Sequence, residues 1–192
     1  ALTGWTYDST DRRFVFRFNE ELHAQGDKVV LGRVVAREKR RNGAEEGEAI
    51  IDLLAAHPNT ADFIARKLCV HLVADEPPLA LVEKVSREFK RTKGDLRQIV
   101  KFISQTDEFW SREHYRTKFR TPFEFVVAAV RASGAEVTDP RVLVDVVSAM
   151  GQPIYRCLDP TGWRDTAESW RDPGVMTARW RFALDLASNR IQ

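Results

Sequence analysis

Helix start and stop signals are the feature that most constrains the fold of this chain. Apolar residues recur every three or four positions in short segments, and a proline or a glycine closes each segment. His57-Pro58, Asp75-Glu76-Pro77-Pro78 and Gly94-Asp95 separate the first four of these segments. Because proline and glycine rarely continue a helix, this pattern predicts several short helices rather than one long coiled coil.

The second half of the chain carries the clearest signals. Thr121, Pro122 and Glu124 have the spacing of a capping box, and Gly134 is placed to end the helix that they begin. Asp139-Pro140 and Asp172-Pro173 predict the starts of a sixth and a seventh helix. The apolar side of the last helix is predicted to include Val175, Trp180, Leu184 and Ala187. About seven helices predict a mainly α fold, either a multi-helix bundle or a layered helical array.

Residues 1–35 predict a small N-terminal β-hairpin. Phe14, Phe16 and Phe18 alternate with other residues at period two, a turn-forming stretch occupies 24–27, and the apolar run 29–31 follows. An isolated hairpin is marginal in water, so this one is expected to pack on the helices or on an upstream part of the protein.

Residues 36–48 are rich in charge and poor in apolar side chains, and they contain Gly43 and Gly47. They predict a mobile, solvated loop. The remaining residues, 49–192, are predicted to form the helical domain, with the whole chain a single domain and a fragment of a larger one.

The composition is that of an ordinary globular protein, with 43% hydrophobic and 30% charged residues and a formal net charge of +2. No stretch is long and apolar enough to predict a membrane span.

A basic cluster interleaved with aromatic residues consists of Arg112, Arg116, Lys118 and Arg120. Acidic neighbours and the balanced charge favour a solvated connection here over a nucleic-acid contact.

The motifs of common enzyme classes are missing from the sequence. The four histidines lack metal-ligand spacing, and there is neither a Gly-x-Ser-x-Gly elbow nor a glycine-rich phosphate loop. Cys69 lies in an apolar helical run and Cys157 in a loop, and their disulfide state stays open. The residues therefore predict no metal site, whereas the cofactor is left unknown and whether the chain is an enzyme stays open.

The segment from Met150 to Trp170, hereafter the Met150–Trp170 loop, is the main candidate for recognition. A long connection inside a helical domain is often functional, and this one contains prolines and glycines that restrict its path. An Ω-like loop pinned to the core by its aromatic residues explains the same pattern, and it is the simpler interpretation. The candidate residues for a ligand or partner are Gln152, Tyr155, Arg156, Asp159, Trp163 and Arg164.

Five blocks of residues carry a family resemblance. They are His57-Pro58-Asn59-Thr60-Ala61, Gly94-Asp95-Leu96, Pro122-Phe123-Glu124-Phe125-Val126, Met150-Gly151-Gln152-Pro153 and Ala178-Arg179-Trp180-Arg181-Phe182-Ala183. In this order and at this spacing, the chain resembles the bacterial family known as domain of unknown function 1800, or DUF1800. The resemblance spans essentially the whole chain.

The resemblance implies that this chain is the C-terminal half of the family domain, so the upstream half of the same protein is an expected partner. Many members resemble exported proteins, which implies a periplasmic or secreted location. The family has no accepted reaction, so no catalytic residue can be transferred. Members tend to have an acidic residue directly after the histidine at position 23, whereas this chain has Ala24, which weakens a metal or acid/base site there.

Two hypotheses follow for the function. The chain is a binding or structural module that meets its upstream half, a protein partner or a second copy. Alternatively, it is the C-terminal part of a hydrolase-like enzyme whose catalytic residues lie mainly upstream. Converging His, Asp or Arg side chains between Gln152 and Arg164 would favour the enzyme, and an exposed apolar patch on the hairpin would favour the binding module.

Overall fold

A computed structural model describes residues 1–10, 13–35 and 43–191. The described residues contain seven α-helices and four short strands, which confirms the predicted mainly α fold. The helices are α1 Ala44–Ala55, α2 Pro58–Leu72, α3 Leu79–Arg91, α4 Leu96–Ile103, α5 Pro122–Ser133, α6 Pro140–Ala149 and α7 Pro173–Ala187. Most of the predicted charged loop, residues 36–42, lies outside the described part of the chain.

The chain divides into two compact units. Unit 1 consists of Ala1–Ile64 and Ser86–Ile99, and unit 2 consists of Ala65–Val85 and Val100–Gln192. Within the described ranges, no helix is both long enough and apolar enough to cross a membrane.

Unit 1 contains two antiparallel strand pairs instead of one hairpin. β1 (Trp5–Thr10) pairs with β2 (Arg13–Phe18), and β3 (Lys28–Val30) pairs with β4 (Arg33–Val35). The prediction that residues 13–18 pair with the apolar run 29–31 was therefore wrong. An upstream strand competes successfully, because its aromatic side chains meet those of β2 across the pair.

The aromatic pairs between β1 and β2 involve the residues that first suggested a strand. The rings of Trp5 and Phe16 lie 5.2 Å apart, and those of Tyr7 and Phe14 lie 5.3 Å apart, both edge to face. Tyr7, Phe14 and Phe16 are nevertheless exposed to solvent. The Phe14-Phe16-Phe18 face is therefore not buried within the chain, and an apolar patch stays available on this hairpin.

Helix α1 begins at Ala44, so the predicted loop was wrong for its last five residues, 44–48. Gly47 had suggested a break, but it lies within the helix and faces the ring of Trp5. A Cβ atom built at Gly47 would lie 2.3 Å from Trp5 Cζ2, which is far closer than van der Waals contact. The glycine is therefore required for close packing of α1, and it does not end the helix.

In unit 2, α5, α6 and α7 pack around a core of Val126, Val147, Met150 and Phe182. The predicted capping box of α5 is confirmed. Thr121 Oγ1 accepts a hydrogen bond from the Glu124 N–H at 3.3 Å, and Glu124 Oε2 accepts one from the Thr121 N–H at 2.8 Å. These bonds satisfy two N–H groups that the first turn of a helix leaves free.

The predicted apolar side of α7 was wrong in its C-terminal part. Trp180 is 71% exposed and Leu184 is 63% exposed, whereas Arg179 and Phe182 are buried. The core stripe of α7 runs through Val175, Ala178, Phe182 and Leu186, which has helical spacing. Trp180 and Leu184 lie beside this stripe and leave their apolar surface uncovered.

The two cysteines are free thiols in different environments. Cys69 lies in α2 with no exposed surface, and burial raises the pKa of its thiol to about 11. Cys157 lies in the Met150–Trp170 loop and is partly exposed.

Candidate functional site

Buried side chains anchor the Met150–Trp170 loop at both ends. At its start, Gln152 is buried and its Oε1 accepts a hydrogen bond from the Phe123 N–H of α5 at 2.8 Å. At its end, Trp170 is buried and its Nε1 donates to the Arg164 carbonyl oxygen at 2.8 Å. Gln152 thus positions the loop, a structural role that its polarity alone did not predict.

A carboxylate from a distant part of unit 2 fixes the loop near its C-terminal end. Asp75 Oδ2 accepts a hydrogen bond from the Ala167 N–H at 2.7 Å, and Asp75 Oδ1 accepts one from Lys118 Nζ. Lys118 Nζ also donates to the Asp165 carbonyl oxygen at 2.6 Å. Burial raises the pKa of Asp75, but the bonds from Ala167 and Lys118 and the charge of Arg171 outweigh it and lower the pKa overall.

The loop lines an open, concave surface with a volume of about 600 Å³, hereafter the loop cavity. Four of the six predicted candidate residues line it, namely Arg156, Asp159, Trp163 and Arg164. The ring of Trp163 lies 5.9 Å from that of Trp170, so two indoles form part of the wall. Gln152 and Tyr155 do not line the cavity, and Tyr155 is fully exposed at a positive φ of 59°.

Asp159, the acidic residue that lines the loop cavity, forms hydrogen bonds within the loop itself. Asp159 Oδ1 accepts hydrogen bonds from the Thr161 N–H at 2.9 Å and from Thr161 Oγ1 at 2.7 Å. These bonds lower the pKa of Asp159, so its carboxyl group is ionised at neutral pH. No group of three or more His, Cys, Asp or Glu residues within the described ranges is arranged to hold a metal ion.

A second and larger concave surface lies elsewhere in unit 2, with a volume of about 1030 Å³. Cationic and apolar side chains line it, and we call it the cationic groove. Its lining residues are Arg116, Lys118, Phe119, Arg120, Phe125, Met176, Arg179, Trp180, Ala183 and Leu184. The basic cluster interpreted from the sequence as a solvated connection contributes three of these residues, but Arg112 is not among them.

The sequence did not single out Arg179. Its Nη2 donates to the Arg120 carbonyl oxygen at 2.8 Å, and its guanidinium carbon lies 4.5 Å from the ring centroid of Phe119 and 5.0 Å from that of Phe125. Position in an amphipathic helix predicts an exposed arginine, and no local signal marks this one as buried.

The model of a family described as protein of unknown function (DUF1800) matches residues 1–192. The chain belongs to the DUF1800 family. Comparison with curated proteins and with solved structures gives no match. The resemblance inferred from the five sequence blocks is confirmed, and the family description assigns no activity.

In this DUF1800 chain, the acidic partner of His23 is not the residue that follows it in the sequence. The residue after His23 is Ala24, but His23 Nε2 lies 3.2 Å from Glu46 Oε2, 23 positions along the chain. Lys28 Nζ lies 2.9 Å from the same Glu46 oxygen, and His23 Nδ1 donates to the Thr3 carbonyl oxygen at 2.6 Å. We call Glu46, His23 and Lys28 the Glu46 cluster.

The Glu46 cluster is closed to solvent, because His23 is 4% exposed and Glu46 is 6% exposed. Burial raises the pKa of Glu46, but hydrogen bonds and charge attraction from Lys28, and then from His23, outweigh it and lower the pKa overall. The cluster joins the β3 strand and the turn before it to α1. In this DUF1800 chain it therefore holds unit 1 together and offers no open site.

Proposed function

We propose that this DUF1800 chain is a binding module of a larger bacterial protein, and that the Met150–Trp170 loop is its recognition element. The proposal rests on one observation about this loop. Gln152 and Trp170 anchor it. Its side chains around the loop cavity are Arg156, Trp163 and Arg164. A loop that is held firmly from one side and presents charged and aromatic side chains on the other is typical of a binding site.

The simpler interpretation, an Ω-like loop pinned by its aromatics, accounts for only part of the loop. It explains Trp170, which is buried, but it does not explain Tyr155 and Leu158, which are fully exposed. Leu158 also lines the loop cavity, and an exposed apolar side chain at a cavity supports recognition as the role of this loop.

The cavity favours a small polar molecule that contains a flat or cyclic face. Its volume lies within the usual range for small-molecule sites. The indole of Trp163 offers a surface for stacking, while the guanidinium groups and the Asp159 carboxylate offer hydrogen bonds in both directions.

The hydrolase alternative receives less support from this site. A catalytic acid or base works best with a pKa near neutrality, and the hydrogen bonds from Thr161 move the pKa of Asp159 in the opposite direction. Within the described part of the chain, no histidine lines the loop cavity. Ligand binding without catalysis is therefore the function that the loop supports best.

A ligand screen on the whole chain tests the proposal. Monosaccharides, nucleosides and amino acids are added separately, and the melting temperature and tryptophan fluorescence are recorded. We expect at least one class to raise the melting temperature and to change the fluorescence, and we expect Trp163→Leu and Arg164→Gln to abolish both effects.

Trp110→Leu is the matched control, because Trp110 is an exposed tryptophan of unit 2 that does not line the loop cavity. It should leave ligand binding unchanged. A screen without any stabilising compound, or hits that persist in Trp163→Leu, would count against the loop as a recognition element.

A further inference from the structure

Arg179 is the one buried lysine or arginine in the described part of the chain, with 5% of its surface exposed. Among these residues it forms no ion pair with a carboxylate, and its buried Nε has no hydrogen-bond partner. Its one hydrogen bond goes to the Arg120 carbonyl oxygen, and its other close contacts are the rings of Phe119 and Phe125. The charge of Arg179 is thus only partly compensated.

An uncompensated buried charge is unfavourable, and proteins normally pair such a group or neutralise it. Neutralisation is not available to arginine, because its guanidinium keeps its proton throughout the physiological pH range. The faces of Phe119 and Phe125 offset part of the cost through cation–π contacts. The buried Nε–H still needs an acceptor.

The surroundings of Arg179 add positive charge instead of supplying that acceptor. Arg116 and Arg120 are exposed and line the same cationic groove, and Lys118 lies between them. Asp75 already engages Lys118, and no acidic residue among those that the structure describes lines the groove. The groove therefore combines two exposed arginines, of which Arg116 also lies 5.2 Å from the ring centroid of Tyr115, with the buried Arg179.

The rest of the groove is apolar. Trp180 and Leu184 belong to α7 but are largely exposed, and they face the groove together with Met176. Their exposure explains why the predicted apolar side of α7 was wrong: these side chains line a concave surface and not the core.

We propose that the cationic groove binds a small organic anion, in which a carboxylate or phosphate group is attached to an apolar body. Arg116 and Arg120 attract the anionic group, and the field of Arg179 beneath them favours negative charge at this position. The apolar body lies against Trp180, Leu184 and Met176. Guanidinium groups are the usual protein partners of both oxyanions. This site is separate from the loop cavity and does not depend on it.

A nucleic acid is the less favoured occupant. Its affinity would come from phosphates spread along a strand, whereas these cations converge on one cavity of small-molecule size. Tight binding of a single-stranded oligonucleotide with no binding of small anions would contradict the proposal.

Calorimetric titration of the whole chain with three eight-carbon probes tests the site. Octanoate and octyl phosphate carry the two anionic groups, and octanamide has a similar body without the charge. We expect one or both anions to bind at least about tenfold more tightly than octanamide, because each charge-assisted hydrogen bond is strong. The preferred anion identifies the source of the oxyanion, and added salt should weaken its binding.

Arg116→Gln combined with Arg120→Gln should weaken anion binding by at least about tenfold. Arg112→Gln is the matched control, since Arg112 precedes the same segment but does not line the groove. Arg179→Met should abolish the preference for the anion over octanamide. If Arg179→Met does not fold, the double variant still decides the outcome. Binding of both anions no tighter than that of octanamide, no binding of either anion, or an unaffected double variant would overturn the proposal.

Discussion

The two units bury charge in opposite ways. In unit 1, the Glu46 carboxylate is closed off from solvent together with Lys28 and His23, so acid and base compensate each other. In unit 2, Arg179 is buried with aromatic rings and a carbonyl oxygen but with no acid among the described residues. The Trp5 Nε1 of unit 1 also lacks a partner, but that group is neutral. The comparison indicates that a complete buried cluster maintains the fold, whereas an incomplete one is available to a ligand.

This difference has an energetic consequence. Removing one member of a buried pair leaves the other member desolvated and unpaired, which is costly. Removing a charge that has no opposite partner can be neutral or even stabilising, because its burial was unfavourable from the start. Substitutions in the two clusters should therefore have unequal effects on the free energy of unfolding.

The largest effect is expected for Glu46→Gln. This change leaves the buried His23 and the largely covered Lys28 without an acid, and it should lower the free energy of unfolding by about 3–5 kcal/mol. Urea denaturation measures this loss. Glu48→Gln, an exposed position of the same helix, is the control and should change stability by less than about 0.5 kcal/mol. Equal effects of the two substitutions would show that the Glu46 cluster does not stabilise unit 1.

A smaller effect is expected for Gly47→Ala, which tests the packing beside the Glu46 cluster. In an ordinary helix this change is stabilising by about 1 kcal/mol. Here the new methyl group would overlap Trp5, so we expect a net loss of about 1–3 kcal/mol. Glu48→Ala provides the control for helix propensity without a clash. A stabilised Gly47→Ala protein would mean that α1 and β1 do not pack closely.

The free energy of unfolding should depend on pH through Glu46 and not through Arg179. The pKa of Glu46 is lowered in the folded protein relative to its ordinary value of 4.5. Its contribution is therefore complete above about pH 4.5 and is lost as the pH falls through the lowered, folded-state pKa. We expect Glu46→Gln to flatten the acid side of a stability–pH curve, whereas Arg179→Met should leave the slope unchanged. Parallel acid limbs for the wild type and Glu46→Gln would contradict this assignment.

The smallest effect on folding is expected for Arg179→Met. The free energy of unfolding should change by less than about 1 kcal/mol or rise, because an uncompensated charge is replaced by an apolar chain of similar length. Urea denaturation measures this as well. A loss of about 3 kcal/mol or more would place Arg179 among the structural charges and remove the contrast between the units.

The features predicted correctly from the sequence are those that nearby residues determine. Thr121, Pro122 and Glu124 act on one another within a single helical turn, so the start of α5 can be read directly. The start of α1 could not, because the reason for Gly47 is the ring of Trp5, which lies far away in sequence. The partner of β2 was missed for the same reason, since strand pairing is decided by competition between segments.

The candidate sites could likewise be predicted only where residues close in sequence determine them. Long loops with restricted backbones can be recognised from sequence, and four of the six residues predicted there line one cavity. The anchoring role of Asp75 depends on bonds to residues 43 and 92 positions away, and no local pattern reveals it. Arg179 was missed because an arginine in an amphipathic helix is normally solvated, and only the tertiary structure shows it to be buried.

The reactivity of the two free thiols can report local opening of the folded chain. Cys157 lies in a partly exposed loop, whereas Cys69 has no accessible surface and a thiol pKa of about 11. A thiol-reactive reagent should therefore modify one site per folded molecule, and the second only when α2 separates from its neighbours. The rate of that second modification would report how often this part of the core opens under native conditions, without any engineered label.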